Sequence, residues 1–145
     1  MAIIIIIALA ISGFFGFSTL NEDSGINLTD NNAIHENGHY DSVEDVGTYL
    51  IKYHKLPSNY ITKSEAHRIG WHGGSIEKYL PGMCIGGDTF TNNQEILPTD
   101  KSYKECDIDT LGESTRGAKR IVYSTDYKGI YYTSNHYSSF TKLNN

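Results

Sequence analysis

The sequence predicts an α+β domain in which helices come first and pack on one face of a five-stranded antiparallel sheet. Three observations predict it. Two segments between residues 42 and 70 open with helix-capping patterns, and the first carries an apolar stripe at helical spacing. Five short runs after residue 83 are rich in aromatic or β-branched residues and are separated by turn residues. Helices and strands are therefore segregated along the chain, which is the α+β pattern. The 145 residues give room for one domain with its own core.

Taken in order, Ala2 to Phe17 is almost wholly apolar and uncharged. At about 16 residues it is shorter than the roughly 20 a membrane-spanning helix needs. Residues 1–18 fit a secretory signal core, with a cut near Thr19, although no Lys or Arg precedes the apolar run. An uncleaved membrane-inserting segment is the alternative. Residues 19–36 are polar, Asn- and Asp-rich and without period, and read as a disordered or cleaved leader. The folded domain is expected over 37–145.

Charge divides the chain in the same place. The net charge is -5, yet all 12 Lys and Arg fall at or after Lys52. Five of the 17 acids (Glu22, Asp23, Asp30, Glu36 and Asp41) precede Ser42, so the rest of the chain is about neutral. An acidic leader joined to a neutral domain follows. Neutrality argues against strong general affinity for nucleic acid but leaves room for a local basic cleft.

Ser42 and Asp45 open the first helix, and Val43, Val46, Tyr49, Leu50 and Tyr53 form its stripe up to Leu56-Pro57. Thr62 and Glu65 make a second capping box, opening a short helix that stops near Gly70. Ser75 to Leu80 suggests one more turn or two. The strand runs are Cys84–Phe90, Tyr103–Asp109, Lys119–Ser124, Gly129–Thr133 and Ser139–Leu143. Alternation turns Cys106, Ile108, Ile121 and Tyr123 to the core and sets Glu105, Asp107, Arg120 and Val122 on the opposite face. Cys84 and Cys106 are either a disulfide or two separate core thiols, and the sequence leaves both readings open.

His35-Glu36-Asn37-Gly38-His39 matches the H-E-x-x-H spacing of zinc proteases. That chemistry needs a firm helix and a third ligand. Gly38 and Asn37 weaken a helix here, so a solvated linker is the better reading and no metal or cofactor is expected.

Glu105, Arg120 and His136 are spaced for successive antiparallel strands with turns. A carboxylate that takes a proton, an imidazole that gives one and a fixed cation can together split a phosphodiester. Taken singly, each has a bland reading: a solvated strand residue, a surface ion pair, a turn residue. The stretch Tyr53 to Trp71, the motif Ile85-Gly86-Gly87-Asp88-Thr89-Phe90 and the ending His136 to Lys142 give a more specific signal. With them the chain resembles the barnase family of secreted, guanyl-preferring bacterial ribonucleases over roughly Ser42 to Leu143.

That resemblance implies the microbial ribonuclease fold and an endoribonuclease acting through a 2',3'-cyclic phosphate. It implies Glu105 as general base and His136 as general acid. Lys63, Arg116 and Arg120 become the cations around the phosphate, and Tyr137 an aromatic support for the substrate. It further implies RNA as substrate, a barstar-like inhibitor as a partner, secretion without lasting membrane association, and a monomer. Asp88 and His54 are expected to be structural, and Gly86 and Gly87 to permit close backbone approach. The recognition loop Phe90-Thr91-Asn92-Asn93-Gln94-Glu95 departs from the family, which usually has Arg at the position of Asn93 and Glu at that of Gln94, leaving Gln94 or Glu95 to substitute. A weaker guanine preference is therefore expected. The alternative is a barnase-fold protein that binds RNA or inhibitor with weak turnover.

Overall fold

The computed structural model describes Leu28 and residues 33–145. The signal segment and nearly all of the leader lie outside the described residues. The elements run α1 (Val43–Tyr53), β1 (Tyr60–Ile61), α2 (Lys63–Arg68), β2 (Cys84–Phe90), β3 (Tyr103–Asp107), β4 (Arg120–Ser124), β5 (Ile130–Thr133) and β6 (Thr141–Lys142). They form one sheet with strands in sequence order, β1 to β6. The class is α+β as expected, but the sheet has six strands rather than five, and one pair is parallel. The extra strand is β1, which runs parallel to β2 through Tyr60–Cys84 and Ile61–Ile85. Two residues leave no periodic trace in a sequence; pairing with a distant strand makes them a strand. The four remaining pairs are antiparallel.

Helix α1 forms for the reasons its sequence gives. Ser42 Oγ accepts a hydrogen bond from the Asp45 amide at 3.2 Å, satisfying a donor that the first turn leaves open. The helix ends when His54 turns left-handed at φ 54° and its amide bonds Leu50 O. Val43, Val46 and Leu50 face Cys106, Ile108, Ile121, Tyr123 and Ile130 in the main core. Every one of these is at most 8% exposed, so both faces of the helix–sheet seam are dry. His54 stacks on Tyr127 with ring centroids 5.0 Å apart and planes 3° apart, fixing the end of α1 to the sheet.

Helix α2 carries the full capping box: Thr62 Oγ1 accepts from the Glu65 amide and Glu65 Oε1 accepts from the Thr62 amide. Ala66, Trp71, Ile76 and Ile85 make a second cluster at the β1–β2 edge. Ser75 to Leu80 forms a single turn, with the Tyr79 and Leu80 amides both bonding Ile76 O at 2.9 Å.

The last residues of the predicted leader are attached to the domain. Ile34 is 3% exposed. Its carbonyl accepts from Lys52 Nζ at 2.9 Å, and Lys55 pairs with Glu36 at 2.7 Å. The His35–His39 segment is a turn, closed by the Gly38 amide on His35 O. The two imidazoles therefore do not share a helix face.

Cys84 and Cys106 are separate buried thiols. Burial pushes the Cys84 thiol up to about 11 and Cys106 well above its usual value, so both stay protonated at neutral pH. Gly86 sits opposite Cys106 in the β2–β3 ladder. A Cβ on Gly86 would meet Cys106 Cβ and Tyr60 Cδ1, both at 2.6 Å. Gly86→Ala is expected to destabilise the domain by about 1–3 kcal/mol through overpacking, read from the urea midpoint. An unchanged midpoint would show that the close approach is not a constraint.

Candidate active site

The face of the sheet away from α1 is not a plain solvent face. Leu97, Tyr103 and Val122 pack there, with Phe90, Tyr131, Tyr137 and Phe140 around them. Against that apolar floor stand two rows of paired residues. Register sets Asp88 opposite Glu105 and Glu105 opposite Val122. The neighbouring row sets Asp107 opposite Arg120 and Arg120 opposite Thr133. The bulge between Gly86 and Asp88 shifts the register of β2 and brings Asp88 into the first row.

Glu105 stands in the middle of β3, its side chain 12% exposed, and it is surrounded by donors. Lys63 Nζ lies 3.7 Å from one carboxylate oxygen, and Arg120 Nε lies 3.9 Å from the other. The Tyr137 hydroxyl donates a hydrogen bond to Glu105 Oε1. Burial, and next that bond to a carboxylate, push the Tyr137 hydroxyl well above its usual range, so it remains a donor.

Lys63 begins α2, where a cation opposes the helix dipole. Asp88 answers this, because its Oδ2 accepts from the Lys63 amide at 3.0 Å. The structural role expected of Asp88 is thus a specific one: it closes the helix terminus while the Lys63 ammonium reaches toward Glu105.

Asp107 was not among the residues the sequence singled out for a role, and it organises two of the cations. It accepts from Arg116 Nε at 2.7 Å and from Arg116 Nη2 at 2.8 Å, a bidentate pair. This pairing raises the Arg116 pKa further. Asp107 also lies 3.1 Å from Arg120 Nε, without the alignment of a hydrogen bond, and that nitrogen is buried and unsatisfied. Arg120 Nη1 is held by Lys119 O at 2.8 Å and Arg116 O at 3.3 Å. Its side chain is 3% exposed. The readable signal for Asp107 was its place two residues from Glu105, on the same strand face.

His136 lies in the β5–β6 connection rather than on a strand. It and Tyr137 are consecutive non-glycine residues at positive φ, 57° and 77°. Such backbone is strained, and it persists only where surroundings hold it. The His136 amide bonds Ala118 O at 3.0 Å, and Thr133 Oγ1 accepts from the Tyr137 amide at 3.1 Å. The imidazole is exposed and tilted against the Tyr137 ring at 4.7 Å between centroids.

Beside this pair opens a cavity of about 270 Å³. Phe90, Thr91, Asn92, Asn93 and Gln94 form one wall, and His136, Tyr137, Ser138 and Phe140 the other, with Ile96 at the rim. Asn92, at φ 54°, bonds the Leu97 carbonyl and amide through the two halves of its side chain, at 3.0 and 3.2 Å, and closes the loop. The sequence-predicted residues are therefore brought together in two groups. Lys63, Glu105, Arg116 and Arg120 share one charged cluster with Asp107. Residues 90–94 share a pocket with His136, and Tyr137 belongs to both.

Three carboxylates (Asp88, Glu105 and Asp107) stand among three cations (Lys63, Arg116 and Arg120), so the cluster's fixed charges balance before His136 is counted. Comparison with known proteins gives the family. A family model described as ribonuclease matches residues 43–144. The chain belongs to this ribonuclease family. The ribonuclease is 39% identical to a ribonuclease of Bacillus intermedius over 127 residues, covering 85% of this chain and 76% of that protein. It is 41% identical to a ribonuclease of Heyndrickxia coagulans over 104 residues, 69% of this chain and 94% of that one. A shorter match, 37% over 59 residues, links it to guanyl-specific ribonuclease Sa3 of Kitasatospora aureofaciens, 39% of this chain and 42% of the other. The ribonuclease is thus a barnase-like microbial endoribonuclease, and RNA is its substrate class. Among the described residues, no helix is long and apolar enough to cross a membrane.

Proposed function

We propose that this ribonuclease cleaves single-stranded RNA by transphosphorylation, with Glu105 and His136 as the acid–base pair. The observation that carries the reading is the Glu105 carboxylate, set among Lys63, Arg120 and the hydroxyl of Tyr137, and Tyr137 is the residue that follows His136 and packs against its imidazole. Glu105 takes the proton of the ribose 2'-hydroxyl as that oxygen attacks phosphorus. The O2'–P bond forms and the P–O5' bond breaks. His136 gives a proton to the departing 5'-oxygen, leaving a 2',3'-cyclic phosphate. Water then opens the ring with the two roles exchanged. Lys63, Arg116 and Arg120 stabilise the charge that gathers on the pentacoordinate phosphorus.

Acid, base and charge stabilisation all come from the chain's own side chains, so no metal step is required. Digestion of a defined RNA is expected to yield cyclic-phosphate ends at a rate unchanged by EDTA. Loss of activity with EDTA and recovery with a divalent ion would overturn the mechanism.

The same reading makes the enzyme a secreted one, supported by the uncharged apolar run from Ala2 to Phe17. Guanine preference comes by likeness to relatives named as guanyl-specific, and the amides of Asn93 and Gln94 support only a weak form of it. An acidic inhibitor like barstar would find a partly exposed cation in Lys63 at the mouth of the site.

A further inference from the structure

Arg116 lies on the connection between β3 and β4, where residues 112–115 are exposed and Gly112 and Gly117 take positive φ, 78° and 62°. The main chain sets where its side chain starts; what that side chain grips sets where the guanidinium ends. Asp107 grips one edge, through Nε and Nη2. An edge held at two points can still swing about the line that joins them. A second contact opposes that swing. Arg116 Cζ stands over the Trp71 ring, 6.0 Å from its centroid. The negative face of an indole attracts a cation placed there, and more strongly where water is excluded. Trp71 is 5% exposed and the Arg116 side chain 20%.

Trp71 is itself firmly held. Its amide bonds Ala66 O at 3.1 Å, its carbonyl accepts from His67 Nδ1 at 2.8 Å, and its indole Nε1 donates to Gly74 O at 2.8 Å. It packs with Ala66, Ile76 and Ile85. Ala66 and His67 belong to α2, which begins at Lys63, so the indole carries the placement of that helix across to Arg116. Among the described residues, Arg116 Nη1 makes no hydrogen bond and keeps its donors for a ligand. We infer that Trp71 is a positioning residue: together with Asp107 it fixes the Arg116 guanidinium so that the free Nη1 edge meets a bound phosphate. That a phosphate binds there rests on the ribonuclease reading; the hold on Arg116 rests on the geometry alone.

The test is a double-mutant cycle in the full chain, with Trp71→Leu, Arg116→Ala and the pair, read as the Kd for inorganic phosphate by calorimetric titration. Trp71→Leu is expected to weaken phosphate binding about fivefold or more, in the range of a partly desolvated cation–π contact. In the Arg116→Ala background the same change is expected to move the Kd by less than about twofold, because the group through which Trp71 acts is gone. Trp71→Phe keeps an aromatic face and is expected to stay within about twofold of the unaltered chain. Trp71→Met, closer to the indole in volume, takes the place of Trp71→Leu should that variant not fold. Equal losses in the two backgrounds would make Trp71 a purely structural residue. An unchanged Kd in Trp71→Leu, or no phosphate binding by the unaltered chain, would equally overturn the inference. RNA cleavage by the same variants separates the two readings. Additive losses of phosphate affinity, with cleavage dependent on Arg116, defeat the inference and leave the mechanism standing. Coupled phosphate affinities, with cleavage untouched by Arg116→Ala, remove Arg116 from the mechanism and leave the inference.

Discussion

Glu105→Gln is expected to lower kcat/KM for RNA cleavage by about 10³-fold, within the range a positioned general base supplies. The substitution keeps the shape of the side chain and leaves Oε1 able to accept from Tyr137. It removes the group proposed to take the 2'-hydroxyl proton. The loss should therefore appear in kcat, with the thermal midpoint of the folded protein recorded alongside. His136→Ala is expected to cost a similar factor by removing the proposed acid. Because base and acid serve one step, the double variant should be little worse than either single one. Activity within about tenfold of the parent in Glu105→Gln would remove Glu105 from the role of base, since general-base catalysis contributes at least 10².

The second large effect is on stability. Asp107 is 1% exposed at its side chain and stands against two guanidinium groups, one paired bidentately and one almost wholly buried. Taking away one member of a buried ion pair leaves the others desolvated without compensation, which costs about 3–5 kcal/mol. Asp107→Ala is expected to lose that much in urea unfolding, a large share of what holds a domain of this size. Asp107→Asn keeps the volume and isolates the charge, so it should lose nearly as much. A loss below about 1 kcal/mol in both variants would mean that Glu105 can hold the guanidinium groups unaided, contrary to the burial argument.

The legible parts of this molecule are those with local causes. Ser42 and Thr62 cap the helices the sequence assigned to them, and the alternation around Cys106 and Ile121 separates core from site as read. What escaped was set by distant pairing. Tyr60–Ile61 becomes a strand only because Cys84–Ile85 lies beside it. The grip of Asp107 on Arg116 links a strand to an irregular loop, and no period announces such a contact. Tyr137 was expected only to support the substrate. Its hydroxyl bond to Glu105 depends on a left-handed turn that neither residue's identity predicts. Ile34 was assigned to the leader because its neighbours are polar, yet it is buried. One apolar residue is too short a signal to move a boundary.

The bond from the His136 amide to Ala118 O has a consequence for turnover. Ala118 lies between Arg116 and Arg120, so a single main-chain contact yokes the loop bearing His136 to the segment bearing two cations. On the proposed mechanism, the main-chain positions of the acid and of two of the cations are settled when the chain folds. That share of their lost freedom then does not count against the barrier.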